Sequence, residues 1–206
     1  MTHDAQPARP DAATPAGLAD LAQGIRAWDR TEREHLAMTA AWIASGAPLY
    51  RTVKPDVPPW HLVSYFVVLD EPDHRVLLVD HRKAGLWLPP GGHVEVGEDP
   101  WHTVVREARE ELDIQAEPWP TAGNSPFFLT VTRTRGPGPH TDVSLWYVLR
   151  ADATGVISYD AEEFAGIRWL APRQVLAEPS ATLDPHLHRF IDKLLARLGP
   201  GPNRSG

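Results

Sequence analysis

The period of the apolar positions changes along the chain, and each change marks an element. Leu18, Leu21, Ile25 and Trp28 recur every three to four residues and predict a helix. Thr31 and Glu34 have the spacing of a capping box and predict a second helix through Leu36, Ala40, Ile43 and Ala44, ended by Gly46 and Pro48. Lys54 to Pro59 is too rich in proline for a regular element and reads as a linker. His61 to Leu69 and Arg75 to Val79 are β-branched and aromatic and predict strands, with Glu71 to His74 as the turn between them. Within them, Val67-Val68-Leu69 and Val76-Leu77-Leu78-Val79 are continuously apolar, the pattern of strands buried on both faces. Pro126 to Arg133 and Asp142 to Arg150 predict further strands joined by a loop at 135–140, and residues 155–159 and 166–170 shorter ones. Pro172 to Leu176 reads as a helical turn. Asp184 and Pro185 read as the N-cap and first position of a last helix through Leu187, Phe190, Ile191, Leu194 and Leu195.

Strands with helices between and after them imply a sheet covered on both faces. The expected organisation is a tail over 1–16, a helical extension over 17–54, a main domain over 55–199 and a tail over 200–206. The extension carries no visible chemistry. It is expected to pack an apolar face on the main domain or a partner, with a lid or a homodimer contact as the sharper alternative.

Composition narrows the function more than the fold. At 206 residues, with 42% hydrophobic and 23% charged positions, the chain suits one ordinary core and not bulk disorder. A formal net charge of -7 without a Lys or Arg cluster argues against a nucleic-acid polymer as partner, though not against a small nucleotide whose charge a metal neutralises. No apolar run is long enough to cross a bilayer, and Met1 to Ala5 lacks the basic segment and apolar core of a secretory signal. The expectation is a cytoplasmic protein without a membrane partner. Absence of cysteine excludes disulfides, thiolate metal sites and thiol nucleophiles.

The candidate chemistry lies between Gly91 and Ile114. Asp99 as N-cap and Pro100 at the first position open a helix over 100–112. Trp101, Val105, Ala108 and Leu112 share one arc of it, with Val104 at the edge, and Glu107, Glu110 and Glu111 share another. Three carboxylates at these spacings repel, and a divalent cation would reverse the sign of that interaction. The glycines before the helix would let backbone groups approach a metal or phosphate.

Gly92, Glu98 and the run Arg106-Glu107-Ala108-Arg109-Glu110-Glu111-Leu112-Asp113-Ile114 together resemble the signature of the Nudix hydrolases. A charged surface helix explains the amphipathic pattern but not Gly92 and Glu98 at their fixed offsets. The resemblance extends more loosely over Trp60 to about Leu198 and leaves out residues 1–50. It implies a Nudix-like α/β/α sandwich with a mixed β-sheet, of the α/β (α+β) class, preceded here by the helical extension. It also implies hydrolysis of the diphosphate bond between a nucleoside diphosphate and a moiety X, by attack of a metal-activated water on phosphorus. Glu107, Glu110 and Glu111 would bind Mg²⁺, or Mn²⁺, with the Gly91 carbonyl as a backbone ligand. Glu98 and Arg106 would brace the loop against the helix. Glu163, ahead of Glu162, best matches the further carboxylate that members carry before a late Arg-Trp strand, here Arg168-Trp169.

Gly92, His93 and Arg82 are the candidate substrate-binding residues, and His140 is a further group that could touch phosphate. Core packing accounts for Trp87, Trp146 and Trp169 better than base stacking does. Asp113 departs from the pattern, standing where the family has a helix-ending glycine, and Asp tolerates the left-handed conformation. The expected substrate is a nucleoside triphosphate or an oxidised nucleotide. Pro118-Trp119-Pro120 is only a fragment of an NADH-type motif. A regulator that binds a nucleotide or sugar phosphate without turnover is the alternative function. An isomerase of allylic diphosphates is disfavoured, because the usual enzyme of that type relies on a cysteine.

Overall fold

The two continuous apolar runs lie at the centre of the sheet. In the computed structural model, which describes residues 12–54, 56–134, 138–156 and 158–198, they belong to β1 (Trp60–Asp70) and β2 (Arg75–His81). Val67, Val68, Leu69 and Val76 to Val79 have no exposed surface, as strands covered on both faces require. β3 (Leu86–Leu88), β4 (Gly91–His93), β5 (Phe128–Arg133), β6 (Thr141–Arg150) and β7 (Phe164–Leu170) complete the sheet. The order is β3-β2-β1-β6-β5, with β4 also paired to β1 and β7 to β2. β1 and β6 run parallel from Trp60↔Thr141 to Leu69↔Arg150, while the other pairs are antiparallel, so the sheet is mixed.

Helices cover both faces. Leu62, Phe66, Val68, Leu77 and Val79 pack with residues of α1 (Pro15–Gly24), α2 (Arg30–Ala44) and α3 (Pro100–Leu112). Val67, Leu69, Val76 and Leu78 point the other way, onto Val175 of α4 (Pro172–Ala177) and Leu187, Phe190, Ile191 and Leu194 of α5 (Leu187–Leu198). The alternation of side chains along these strands thus assigns their core residues to one layer or the other.

Several expected boundaries moved. α1 opens at Pro15, where Thr14 Oγ1 accepts from Gly17 N at 3.1 Å, and it ends before Ile25, leaving Trp28 outside it and exposed. Residues 1–11 of the expected tail lie outside the described residues, as do 199–206, whereas Ala12 is buried. α2 is capped by Asp29 rather than Thr31: Asp29 Oδ1 accepts from Glu32 N at 2.7 Å. The cap carries a second load, since both Asp29 oxygens accept from Arg189 of α5 at 2.7 Å. Glu34 pairs with Arg30 at 2.8 Å instead of closing a box. The strand expected at 155–159 is absent from its described residues. Asp152 accepts from Thr154 N at 2.8 Å and from Gly155 N at 2.9 Å, and this Asx turn consumes the donors a ladder would need. Asp184 caps a turn through His186 N at 2.8 Å, and α5 begins beyond it.

α2 closes an edge of the sheet. β5 is the last strand of the order, and its outward Leu129 and Val131 amides would be open to pairing with another chain. Glu32 accepts from Leu129 N at 3.3 Å and His35 Nδ1 from Val131 N at 3.2 Å, side chains one helical turn apart meeting amides two residues apart. Glu32 is fully buried and holds Lys193 of α5 at 2.8 Å.

Truncation of Glu32 strands the buried Lys193 ammonium and frees the Leu129 amide. Glu32→Ala should therefore cost about 3 kcal/mol in a urea titration, and Glu34→Ala, on the exposed side of α2, under about 1 kcal/mol. Acid should act on the same seam. Burial, then the Arg189 charge, hold both His35 and His186 below the ordinary histidine value, His186 at about 4. The unfolded chain then binds more protons below the ordinary value of about 6.5. Their contribution to stability should be whole above that pH and fall as pH drops towards about 4, measured as the denaturation midpoint against pH.

Candidate active site

The segment 91–113 forms a strand, a bend and a helix. Gly91-Gly92-His93, expected as loop, is β4, in register Tyr65↔Gly91, Ser64↔Gly92 and Val63↔His93. β2 meets β1 only at Leu69↔Val76 and Asp70↔Arg75, so the earlier half of β1 keeps a free edge, and β4 takes it. The two glycines meet different neighbours there. Gly91 has φ +148, and a Cβ on it would strike the Ser64 carbonyl oxygen; a Cβ on Gly92 would strike the Glu107 carboxylate of α3.

α3 starts as expected, with Asp99 Oδ1 accepting from Trp101 N at 2.8 Å and Pro100 in the first turn. It ends at Asp113, which adopts the left-handed conformation with φ 51 and ψ 38. The helix is rolled relative to the expected apolar arc. Val104, Ala108, Leu112 and Glu111 face inward, whereas Val105 is 42% exposed. The roll distributes the carboxylates by depth: Glu111 is 4% exposed, Glu107 is partly buried, and Glu110 is exposed.

Arg106 ties helix to strand. Its Nε and Nη2 donate to the two oxygens of Glu98, each at 3.3 Å, Nη2 also to the His93 carbonyl at 3.3 Å, and Nη1 to Glu107 at 2.7 Å. Glu98 accepts in addition from Thr103 Oγ1 at 2.7 Å and Glu95 N at 3.1 Å. Burial pushes the Glu98 carboxyl up, but the bonds from Arg106 and Thr103 outweigh it and leave it below its ordinary value. A charged pair joined to backbone on both sides is a brace.

Glu107 and Glu111 are raised. For Glu107 the cause is burial, opposed by Arg106 and reinforced by the Glu110 and Glu163 charges. Burial, then the charges of Glu107 and Glu163, push Glu111 up to about 9, against a hydrogen bond from the Gly91 amide. Glu111 Oε2 is buried with no hydrogen-bond partner among the described residues. A buried carboxylate oxygen without a donor, beside two more carboxylates, is an environment that a divalent cation completes. The carboxylate oxygens are not drawn into one cluster here, as expected for charges that repel with Glu110 turned to Arg106 at 3.4 Å.

Glu163 reaches this site through the loop before β7. Asp160 N donates to the Glu111 carbonyl at 2.8 Å, Arg82 N to the Glu163 carbonyl at 3.0 Å, and Arg82 Nε to the Ala161 and Phe164 carbonyls at 3.1 Å. Arg82, expected at the substrate, thus has its Nε committed to positioning the Glu163 loop. Glu163 and not Glu162 has its charge felt by both Glu107 and Glu111. The His93 ring turns away from Gly92 and α3, because neighbours along a strand face opposite ways. It lies with His61 and His140, Nε2 to Nε2 3.1 Å from His61.

A mixed sheet between helices, with this glycine strand, brace and acidic helix, defines a Nudix domain. The chain belongs to the Nudix family, whose domain model matches residues 60–194. A MutT-like protein of Streptomyces ambofaciens is 32% identical over 118 residues, 57% of this chain and 69% of that protein. The CTP pyrophosphohydrolase of Escherichia coli K12 is 30% identical over 141 residues, 66% of this chain and 96% of that enzyme. Among solved structures, the E. coli dihydroneopterin triphosphate pyrophosphohydrolase superposes with a TM-score of 0.53 at 17% identity, over 73% of this chain and 99% of that one, which shows the fold. The chain is a Nudix-type diphosphohydrolase, of a family that generally uses divalent metal ions. Among the described residues, no helix is long and apolar enough to cross a membrane.

The Gly92 contact yields a direct test. Gly92→Ala should displace the Glu107 carboxylate and lower kcat by about 100-fold, the effect of misplacing a reacting geometry by about 1 Å. Its melting temperature should stay near that of the parent.

Proposed function

We propose that the chain is a Mg²⁺-dependent hydrolase that cleaves the diphosphate bond of a nucleoside triphosphate or an oxidised nucleotide, Mn²⁺ serving the same oxygen ligands. The observation that carries this reading is the unpartnered, buried Glu111 oxygen beside Glu107 and the glycines of β4. Glu107, Glu110 and Glu111, with the Gly91 carbonyl, are the residues that would hold the cation. When bound, the cation supplies charge neutralisation at the phosphoryl oxygens and a more acidic water. Glu163, in the loop anchored to α3, is the proposed acceptor of the proton from the attacking water. Arg106 and Glu98 keep β4 and α3 in register during the reaction. Gly92 leaves the Glu107 carboxylate room to lie against β4.

Triphosphate substrates are supported by two relatives whose names specify CTP and dihydroneopterin triphosphate. A net charge of -7 supports a small substrate rather than a polymer. The same proposal places the enzyme in the cytoplasm, as a monomer or a homodimer.

Glu110→Gln and Glu111→Gln should each abolish turnover of nucleoside triphosphates in a phosphate-release screen with Mg²⁺ and weaken Mg²⁺ binding, with the fold intact. Full activity in either variant sinks the metal assignment. Silence of the parent chain across nucleoside triphosphates, nucleotide sugars and dinucleotides, with cation binding intact, would favour a regulatory nucleotide-binding domain. Because Glu111 must lose its proton to bind a cation, affinity for Mg²⁺ should rise with pH up to about 9. Calorimetry across a pH series reads this directly, and a flat profile would contradict it.

A further inference from the structure

On the sheet face opposite α3, three adjacent strands bring together His61, His93, His140 and Asp142. His61 stands across from Asp142 in the parallel β1–β6 register, His93 ends β4 on the other side of β1, and His140 directly precedes β6. One potential ligand atom from each residue lies within 4.8 Å of all the others. His61 and Asp142 are buried, whereas His93 and His140 are partly open to solvent, which leaves an entry path.

Backbone carbonyls decide where the ring protons sit. His61 Nδ1 lies 2.9 Å from the Pro58 carbonyl oxygen, and His140 Nδ1 lies 3.0 Å from that of Gly138. A carbonyl can only accept, so both Nδ1 atoms carry hydrogen, and in the neutral rings both Nε2 atoms are bare lone pairs. These atoms lie close together: Asp142 Oδ1 is 3.2 Å from His61 Nε2 and 3.3 Å from His140 Nε2. His93 Nε2 is 3.1 Å from His61 Nε2. Asp142 Oδ1 is buried and has no hydrogen-bond partner among the described residues. A proton on His93 Nε2 settles its contact with His61 by taking that ring's one free lone pair, and leaves Asp142 Oδ1 without a donor from either ring. The charge of Arg51 bears on Asp142 but provides no hydrogen bond to Oδ1.

We infer that His61, His93, His140 and Asp142 form a second metal site, which takes a Zn²⁺-like transition-metal ion through three Nε2 atoms and one carboxylate oxygen. Four nitrogen and oxygen ligands at the bond lengths of zinc stand about 3.3 Å apart at the corners of a tetrahedron. The short contacts already have that spacing, and the widest, at up to 4.8 Å, would close by about 1.5 Å on loading. Nδ1–H donation to a carbonyl is the arrangement that fixes the tautomer and orientation of metal-bound histidine. Imidazole ligands favour zinc-like ions over Mg²⁺, so the two metal sites would load different ions. An ion here clamps β4, β1 and β6 from one face while Arg106 holds β4 from the other. The inference does not rest on the hydrolase reading.

The test is calorimetric titration of Zn²⁺ into the EDTA-stripped full-length chain in saturating Mg²⁺, with Co²⁺ as the spectroscopic probe. The expected result is one Zn²⁺ per chain with Kd below about 1 μM, a higher melting temperature on loading, and the intense visible absorption of tetrahedral Co²⁺. His140→Ala and Asp142→Asn should each weaken Zn²⁺ binding by roughly tenfold or more, while melting metal-free close to the stripped parent. His61→Ala is the poorer probe, because loss of a fully buried ring also leaves a cavity. No Zn²⁺ uptake by the parent, or equal uptake by both variants, would overturn the site.

Discussion

β4 can lie against β1 only because Gly91 lacks a side chain, and the Glu107 carboxylate can lie against β4 only because Gly92 lacks one. A Cβ at Gly91 would enter the Ser64 carbonyl of β1, and one at Gly92 would enter the Glu107 carboxylate of α3. The contact fixes the depth of the acidic helix and with it the environment of each glutamate. Glu111 lies beneath the strand, where burial holds its proton, and Glu107 lies at its side under the Arg106 guanidinium. Glu110 remains at the surface. Arg106 then binds the assembly by taking Glu98, the His93 carbonyl and Glu107 at once. Residues that carry no chemistry thus decide what chemistry the carboxylates can do.

The helical extension is part of the same physical object as the Nudix domain. Glu32 and His35 give the edge strand β5 the acceptors it lacks, and Glu32 and Asp29 bind Lys193 and Arg189 of α5. Burying an ion pair costs desolvation that its attraction alone rarely repays. Here the same carboxylate also satisfies a backbone amide, and so it specifies where α2 docks. The consequence is a covered edge, which removes a template for strand pairing between molecules.

The sheet separates two chemically distinct clusters. On the α3 face, a buried carboxylate oxygen without a donor feels the charges of two further glutamates, a set suited to a hard cation. On the other face, three imidazoles and one carboxylate converge on lone pairs, a set suited to a softer one. β4 contributes to both, through Gly92 on one side and the His93 ring on the other. Alternation along a single three-residue strand is what keeps them apart.

Local pattern carried the apolar core strands, the acidic helix with its Asp99 cap, the left-handed Asp113 and the family signature. Each of these depends on residues within a few positions of one another, where period and capping chemistry act directly. The pattern misread β4 as loop, because three residues with two glycines have no alternation to display, and it placed the cap of α2 at Thr31 although the bond from Glu32 N to Asp29 Oδ1 is equally local. Val105 faced inward on an ideal helical wheel, but packing against β1 and β4 rolled α3 and buried Glu111 in its place. Glu163 was reached only through the family resemblance, and the His61–His93–His140–Asp142 cluster was beyond the reach of spacing, although His140 and Asp142 are close in sequence. Their partners come from separate strands, and only the register of the sheet brings them to one side. The sequence by itself determined which chemistry is present, because that resides in side chains at short intervals. Tertiary structure decided which of those groups are buried, paired or left open, because desolvation and charge act through space and not along the chain.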